Sequence, residues 1–114
     1  MKNRAEASSA ISIKLARAAR EMQPHAAEAA ELLKALANEQ RLMILCQLLQ
    51  EPRTVGEINE RVLLSQSALS QHLAVLREAG VVATTRESQS VRYSLPPGVV
   101  TRLMGVLYEE FCKR

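Results

Sequence analysis

The stretch from Arg61 to Leu95, RVLLSQSALSQHLAVLREAGVVATTRESQSVRYSL, constrains the fold more than any other part of the chain. Leu64 followed by Ser65 places an apolar residue ahead of a candidate N-cap. Counting Gln66 as the first helical residue makes Leu69 the fourth, the partner of Leu64 in a hydrophobic staple. Leu69, Leu73 and Leu76 then recur at i, i+4 and i+7, while Ser67, Ser70, Gln71 and Ala74 fall on the opposite side of a helix. Gly80 supplies a left-handed stop. Val81 to Arg86 and Val91 to Leu95 read as two strands joined by a turn at Glu87 to Ser90.

A helix with a small, polar outer face followed at once by a hairpin is the order of a DNA-reading helix and its wing. Gln can pair bidentately with adenine, Ser can donate to or accept from any base, and Ala74 leaves room for a thymine methyl. The same face would also serve as a solvated surface, so the preceding segment matters. Thr54-Val55-Gly56-Glu57 is a capping box of the T-x-x-E type, and the helix it opens runs through Ile58 to Val62. Two helices joined across Leu63 and Leu64 make a helix-turn-helix.

The remaining chain is helical in pattern. From about Ser8 to Glu21 it alternates Ala and Ile with Lys14, Arg17 and Arg20, and residues 1–7 are expected to be disordered. Pro24 opens a second helix with Ala27, Ala30, Leu33 and Leu36 on one side. Asn38 caps a third, Glu39 to Gln50, whose expected buried stripe is Leu42, Leu45, Cys46 and Leu49. After Pro96-Pro97-Gly98 a last helix runs from Val99 to about Lys113, with Leu103, Val106, Leu107 and Phe111 spaced for burial. The expected class is therefore mainly α with a β-hairpin wing, a single winged helix-turn-helix domain over residues 8–114. Helices at about 8–22 and 98–113 would close a homodimer, setting two reading helices about 34 Å apart over an inverted-repeat operator.

The chain has 114 residues, 47% of them hydrophobic, but one Phe, two Tyr and no Trp, so its core must be aliphatic and small. A formal net charge of +3 suits a polyanionic partner without requiring one. No run is long and apolar enough to span a membrane, and the first residues lack a signal-peptide core, so a cytoplasmic protein is expected. Cys46 and Cys112 lie far apart in sequence and form no C-x-x-C, so both are expected to rest as thiols.

The run LLKALANEQRLMILCQLL from Leu32 to Leu49, with LSQSALSQHLAVLREAGVV from Leu64 to Val82, resembles the ArsR/SmtB family of winged-helix repressors over nearly the whole chain. RLMILCQLL around Cys46 and VLYEEFC ending at Cys112 are similar to the family branch that includes BigR, SqrR and HlyU, which senses reactive sulfur or oxidants through two cysteines. The resemblance implies a homodimer that leaves double-stranded DNA when an inducer acts. It also implies that Cys46 and Cys112 face one another within a subunit and become joined by a disulfide or polysulfide bridge. By periodicity alone Cys46 reads instead as a small buried hydrophobe, and it is the resemblance that reverses this.

Metal sensing fits the residues poorly. A thiolate site of this family would need Cys pairs in Val55 to Asn59, where there are none. A site on the last helix would have only Glu109 and Glu110, which face different ways, and His25 and His72 are isolated. No cofactor is expected. A thiol oxidoreductase would need a base or oxyanion donors near a cysteine, and neither cysteine has a His nearby in sequence.

The DNA-contact set expected from these readings is Ser65, Gln66, Ser67, Ser70, Gln71, His72, Arg86, Gln89 and Arg92. His72 lies beside the Leu69 and Leu73 stripe, where core packing and a phosphate hydrogen bond are both open. Arg86 and Arg92 flank the wing, where cations meet phosphates or the minor groove, or simply line a solvated edge. Tyr93 reads as core. The resulting reading is a repressor induced by a thiol-reactive species, the alternative being a regulator or anti-repressor without a cysteine switch.

Overall fold

The computed structural model describes residues 4–113, and the chain divides into two compact units, residues up to Glu31 and residues from Leu32 onward. In the first unit, helix α1 spans Arg4–Met22. It starts earlier than the sequence led us to expect, because Arg4-Ala5-Glu6-Ala7 contains only strong helix formers and no breaker. Residues 1–3, expected to be disordered, lie outside the described residues. A 3-10 turn, Gln23–His25, carries Pro24 near its start and leads into α2, Ala26–Leu36. Of the expected α2 stripe only Leu36 is buried, together with Ala35, and Leu33 is exposed. Leu32 packs half-buried against the core that Ala35 and Leu36 enter.

In the second unit, α3 spans Glu39–Gln50 and is capped as predicted: Asn38 Oδ1 accepts from the backbone N–H of Gln40 at 2.9 Å and of Arg41 at 3.0 Å. Its buried residues are Ile44, Leu45 and Leu48, not the Leu42, Cys46 and Leu49 face. The reason is position. α3 packs against the reading helix, the wing and the last helix at once, so no single stripe defines its interior.

A two-residue strand, β1 (Arg53–Thr54), follows, and sequence periodicity gave no sign of it. Arg53 is buried there with its charge satisfied, its Nε donating to Gln47 O at 3.1 Å and Nη2 to Gln50 Oε1 at 2.8 Å. Next come α4 (Val55–Asn59) and α5 (Gln66–Glu78), then β2 (Ala83–Glu87) and β3 (Ser90–Ser94). The sheet is antiparallel in the order β1-β3-β2, with Arg53 opposite Tyr93 and Arg86 opposite Val91.

Gly80, at φ 73, reverses the chain after α5, and Val81 N–H donates to Leu76 O at 2.9 Å. Val81 and Val82 consequently fall in the core rather than in β2. The final helix, α6, spans Val99–Phe111. Val100 and Met104 are its buried residues, whereas Val106, Leu107 and Phe111 lie exposed and Leu103 half-buried. Ile44, Leu45, Ile58, Leu69, Leu73, Leu76 and Val81 are the fully buried side chains, an aliphatic core as the composition requires. Tyr93 packs half-buried against it.

Candidate nucleic-acid interface and thiol groove

The helix-turn-helix forms from its own caps. Thr54 Oγ1 accepts from Glu57 N–H at 3.2 Å while Glu57 Oε1 accepts from Thr54 N–H at 2.9 Å, both halves of the capping box. Asn59 Nδ2 donates to Leu64 O at 2.8 Å and fixes the link into α5, where Ser65 Oγ accepts from Ala68 N–H at 3.2 Å. Leu69, Leu73 and Leu76 are buried beneath α5. Ser65, Gln66, Ser67, Ser70, Gln71 and Ala74 are exposed, so the polar face is open to a partner. Ser65 already spends one lone pair on its cap and lies 3.3 Å from Ser67 Oγ.

Two features of this surface had no signal in the sequence. Leu63, in the turn, is wholly exposed. Arg77 joins Ser70, Ala74, Glu78 and Tyr93 around a notch of about 460 Å3 between α5 and β3.

His72 is half-buried and engaged from behind: Arg41 Nη1 lies 3.3 Å from its Nδ1. A guanidinium only donates, so in this contact Nδ1 is the accepting nitrogen. Arg41 is itself anchored on the end of α2, its Nε donating to Ala35 O at 2.6 Å and Nη2 to Lys34 O at 3.3 Å.

On the wing, Arg86 and Gln89 are exposed. Arg92, expected beside them as an outward cation, instead turns back toward α4. Its Nε meets Glu87 Oε2 at 3.1 Å and its Nη1 meets Glu57 Oε1 at 3.1 Å. The Glu87 hydrogen bond, then the Glu57 charge, push the Arg92 guanidinium up from its ordinary value. The backbone and side-chain hydrogen bonds from Thr54, with Arg92 and Arg53 nearby, hold the Glu57 carboxyl below the usual range.

Cys46 and Cys112 line one apolar groove of about 600 Å3 between α3 and α6. Cys46 is half-buried and Cys112 exposed, both as free thiols. Burial pushes the Cys46 thiol up, and the proximity of Cys112 adds to the shift because two thiolates repel. Among the described residues no group of three His, Cys, Asp or Glu side chains converges as a metal site, and no helix is long and apolar enough to cross a membrane.

A capped helix-turn-helix with an open polar face, followed by a three-stranded wing, defines a winged helix-turn-helix DNA-binding regulator. Residues 38–84 match the family model described as the bacterial regulatory protein arsR family. The chain is 50% identical to the transcriptional activator HlyU of Vibrio cholerae, over 82% of this chain and 86% of that one. It is 45% identical to the biofilm growth-associated repressor of Agrobacterium fabrum, over 80% and 78% of the two chains. The solved structure of reduced HlyU from Vibrio cholerae superposes with a TM-score of 0.75 at 49% identity, covering 82% of this chain and 98% of that one. A homodimeric winged helix-turn-helix DNA-binding domain from Mycobacterium bovis superposes with a TM-score of 0.70 at 30% identity, covering 76% and 81%. The chain belongs to the ArsR family of bacterial transcriptional regulators.

Proposed function

We propose that this regulator is a homodimeric, cytoplasmic repressor that binds an inverted-repeat operator and releases it when Cys46 and Cys112 become covalently linked. The observation that carries the reading is the shared groove: two thiols from different helices open onto one cavity. Ser65 to His72 and the wing residues Arg86 and Gln89 supply the DNA contacts, the side chains to base edges and the cations to phosphates.

Exposed apolar side chains favour a second copy. α6 presents Val106, and α1 presents Ile11, Leu15 and Met22, apolar side chains left exposed to water in a single chain. The Mycobacterium bovis domain is homodimeric, which supports a dimer here.

The switch chemistry balances with a persulfide or a peroxide as oxidant. A peroxide converts one thiol to a sulfenic acid, and the second thiol displaces water from it to give the disulfide. A hydropersulfide transfers its outer sulfur to one thiol and leaves as a thiol. The second thiol then expels hydrogen sulfide and closes the bridge. A direct disulfide requires Cα atoms about 4.4–6.8 Å apart, and an added sulfur relaxes that limit. Bridging pulls α6 against α3, and the dimer alters the separation of its two reading helices. The thiols act once per event rather than in turnover, so no enzymatic activity is assigned.

The second reading, activation by displacing another repressor, is favoured by one observation: the Vibrio cholerae relative is a transcriptional activator. A promoter-reporter strain carrying the wild type, Cys46→Ser or Cys112→Ser tests both. Repression that is relieved by persulfide in the wild type and persists in both variants supports the dithiol repressor. Induction that survives in both variants contradicts it, and reporter output that falls when the gene is deleted supports activation.

A further inference from the structure

The groove between α3 and α6 carries two thiols among aliphatic, aromatic and hydroxyl neighbours, and no side chain that is a cation or a carboxylate at neutral pH. Beside Cys46 and Cys112 its wall is built mainly by Leu42, Met43, Leu107 and Phe111, and no Lys, Arg, His, Asp or Glu contributes to the lining. The nearest cation in sequence, Lys113, reaches Glu109 at 3.4 Å and lies outside the lining. At about 600 Å3 the cavity is sized for an organic molecule rather than for hydrogen peroxide alone.

Resting on the dithiol reading, we propose that the groove takes its inducer as an uncharged, hydrocarbon-bearing hydropersulfide, and discriminates against persulfides that carry carboxylates and an ammonium, such as that of glutathione. A carboxylate entering this cavity loses its hydration with no protein cation to replace it. A hydrocarbon tail, by contrast, gains from every methylene laid along Leu42, Met43, Leu107 and Phe111.

With the tail seated, the outer sulfur of RSSH passes to the exposed Cys112 thiolate. The S–S bond of the inducer breaks and its electron pair leaves with RS⁻, which takes a proton as RSH. The Cys46 thiolate then attacks the protein-bound sulfur of the Cys112 persulfide. The new Cys46–Cys112 bond forms as hydrosulfide leaves, so two thiols are oxidised and one persulfide is reduced to a thiol and hydrogen sulfide.

The test compares benzyl hydropersulfide with glutathione persulfide on the full-length reduced protein. Bridge formation is followed by intact mass, and each rate is divided by that of the same persulfide with a small free dithiol. The normalised ratio is expected to favour the benzyl compound at least about tenfold, the worth of a few buried methylenes and one unpaired carboxylate. Leu49→Arg, which puts a cation on the groove's exposed rim, should raise the glutathione rate and narrow the ratio. A normalised ratio near one with the bridge still forming overturns the proposed selectivity and leaves the dithiol switch standing. Equal, slow rates that Leu49→Arg does not change mean that the partner protomer fills the groove, which also overturns it. A protein that no persulfide bridges overturns the switch itself.

Discussion

Arg41 Nη1 lies 3.3 Å from Nδ1 of His72, so a single guanidinium joins α3, the helix that carries Cys46, to α5, the helix that carries the reading face. The same guanidinium holds Ala35 O and Lys34 O, which leaves it little freedom to follow one neighbour without disturbing the others. A shift of α3 on bridging therefore has a direct mechanical route to His72.

Arg41→Ala removes that tie and should weaken operator binding by the reduced protein while leaving the rate of Cys46–Cys112 bridging unchanged. The variant removes all three Arg41 contacts, and the one to His72, about 0.5–1.5 kcal/mol by itself, corresponds to roughly two- to tenfold in affinity. Anisotropy titration and a mass-based bridging assay on the same preparation check both halves.

The Cys46 thiol should titrate above an ordinary exposed thiol, whose pKa is about 8.5. Burial is the larger cause and Cys112 the smaller, so Cys112→Ser should lower the midpoint without bringing it back to the ordinary value. The sign follows for stability. A thiol whose folded pKa is raised favours the folded state below the unfolded pKa, and the benefit is lost as the pH rises through the folded pKa. Iodoacetamide labelling of Cys46 against pH, in the wild type and in Cys112→Ser, measures the midpoints.

Arg86 and Arg92 are one residue type in different surroundings, the first exposed and the second ion-paired. Arg86→Ala should reduce the slope of log affinity against log salt by about one, the signature of one lost phosphate contact. Arg92→Ala should leave that slope nearly unchanged, because Glu57 and Glu87 already hold its charge at 3.1 Å each. Operator titrations at several salt concentrations separate the two.

Leu69→Ala opens a cavity beneath the reading helix, where the side chain is completely buried, and should cost about 2–5 kcal/mol. Asn38→Ala removes a cap that accepts two backbone N–H groups at the start of α3 and should cost about 1 kcal/mol. Urea unfolding at fixed protomer concentration gives both differences, since dimerisation adds its own stabilisation.

Local chemistry was readable along the chain, and long-range pairing was not. The Asn38, Thr54 and Ser65 caps each involve residues within three positions, and all three form as their sequence patterns require. The Leu69, Leu73 and Leu76 stripe was also legible, because α5 buries a single side. α3 defeated the same reasoning, since neighbours cover it on several sides: Ile44 and Leu48 are buried, while Leu42 and Cys46 pack only half-buried at the core's edge, where Cys46 also lines the groove. β1 has only two residues and exists through its pairing with β3, which periodicity cannot foresee. The Arg41 and His72 contact and the Arg92 and Glu57 pair link residues more than thirty positions apart, which no local pattern can foresee. On α6 the residues spaced for burial were misjudged: Val106, Leu107 and Phe111 are exposed and Leu103 is half-buried, while Val100 and Met104 face the core.

The most direct measurement is anisotropy titration of the promoter DNA upstream of the protein's own gene, with fully reduced protein and with protein treated with an organic persulfide, intact masses being recorded for both. Tight binding by the reduced protein that is lost on treatment, together with a mass and peptide map showing Cys46 joined to Cys112, is the predicted result. Equal binding before and after the two cysteines are joined would contradict the switch, while leaving the winged-helix regulator intact.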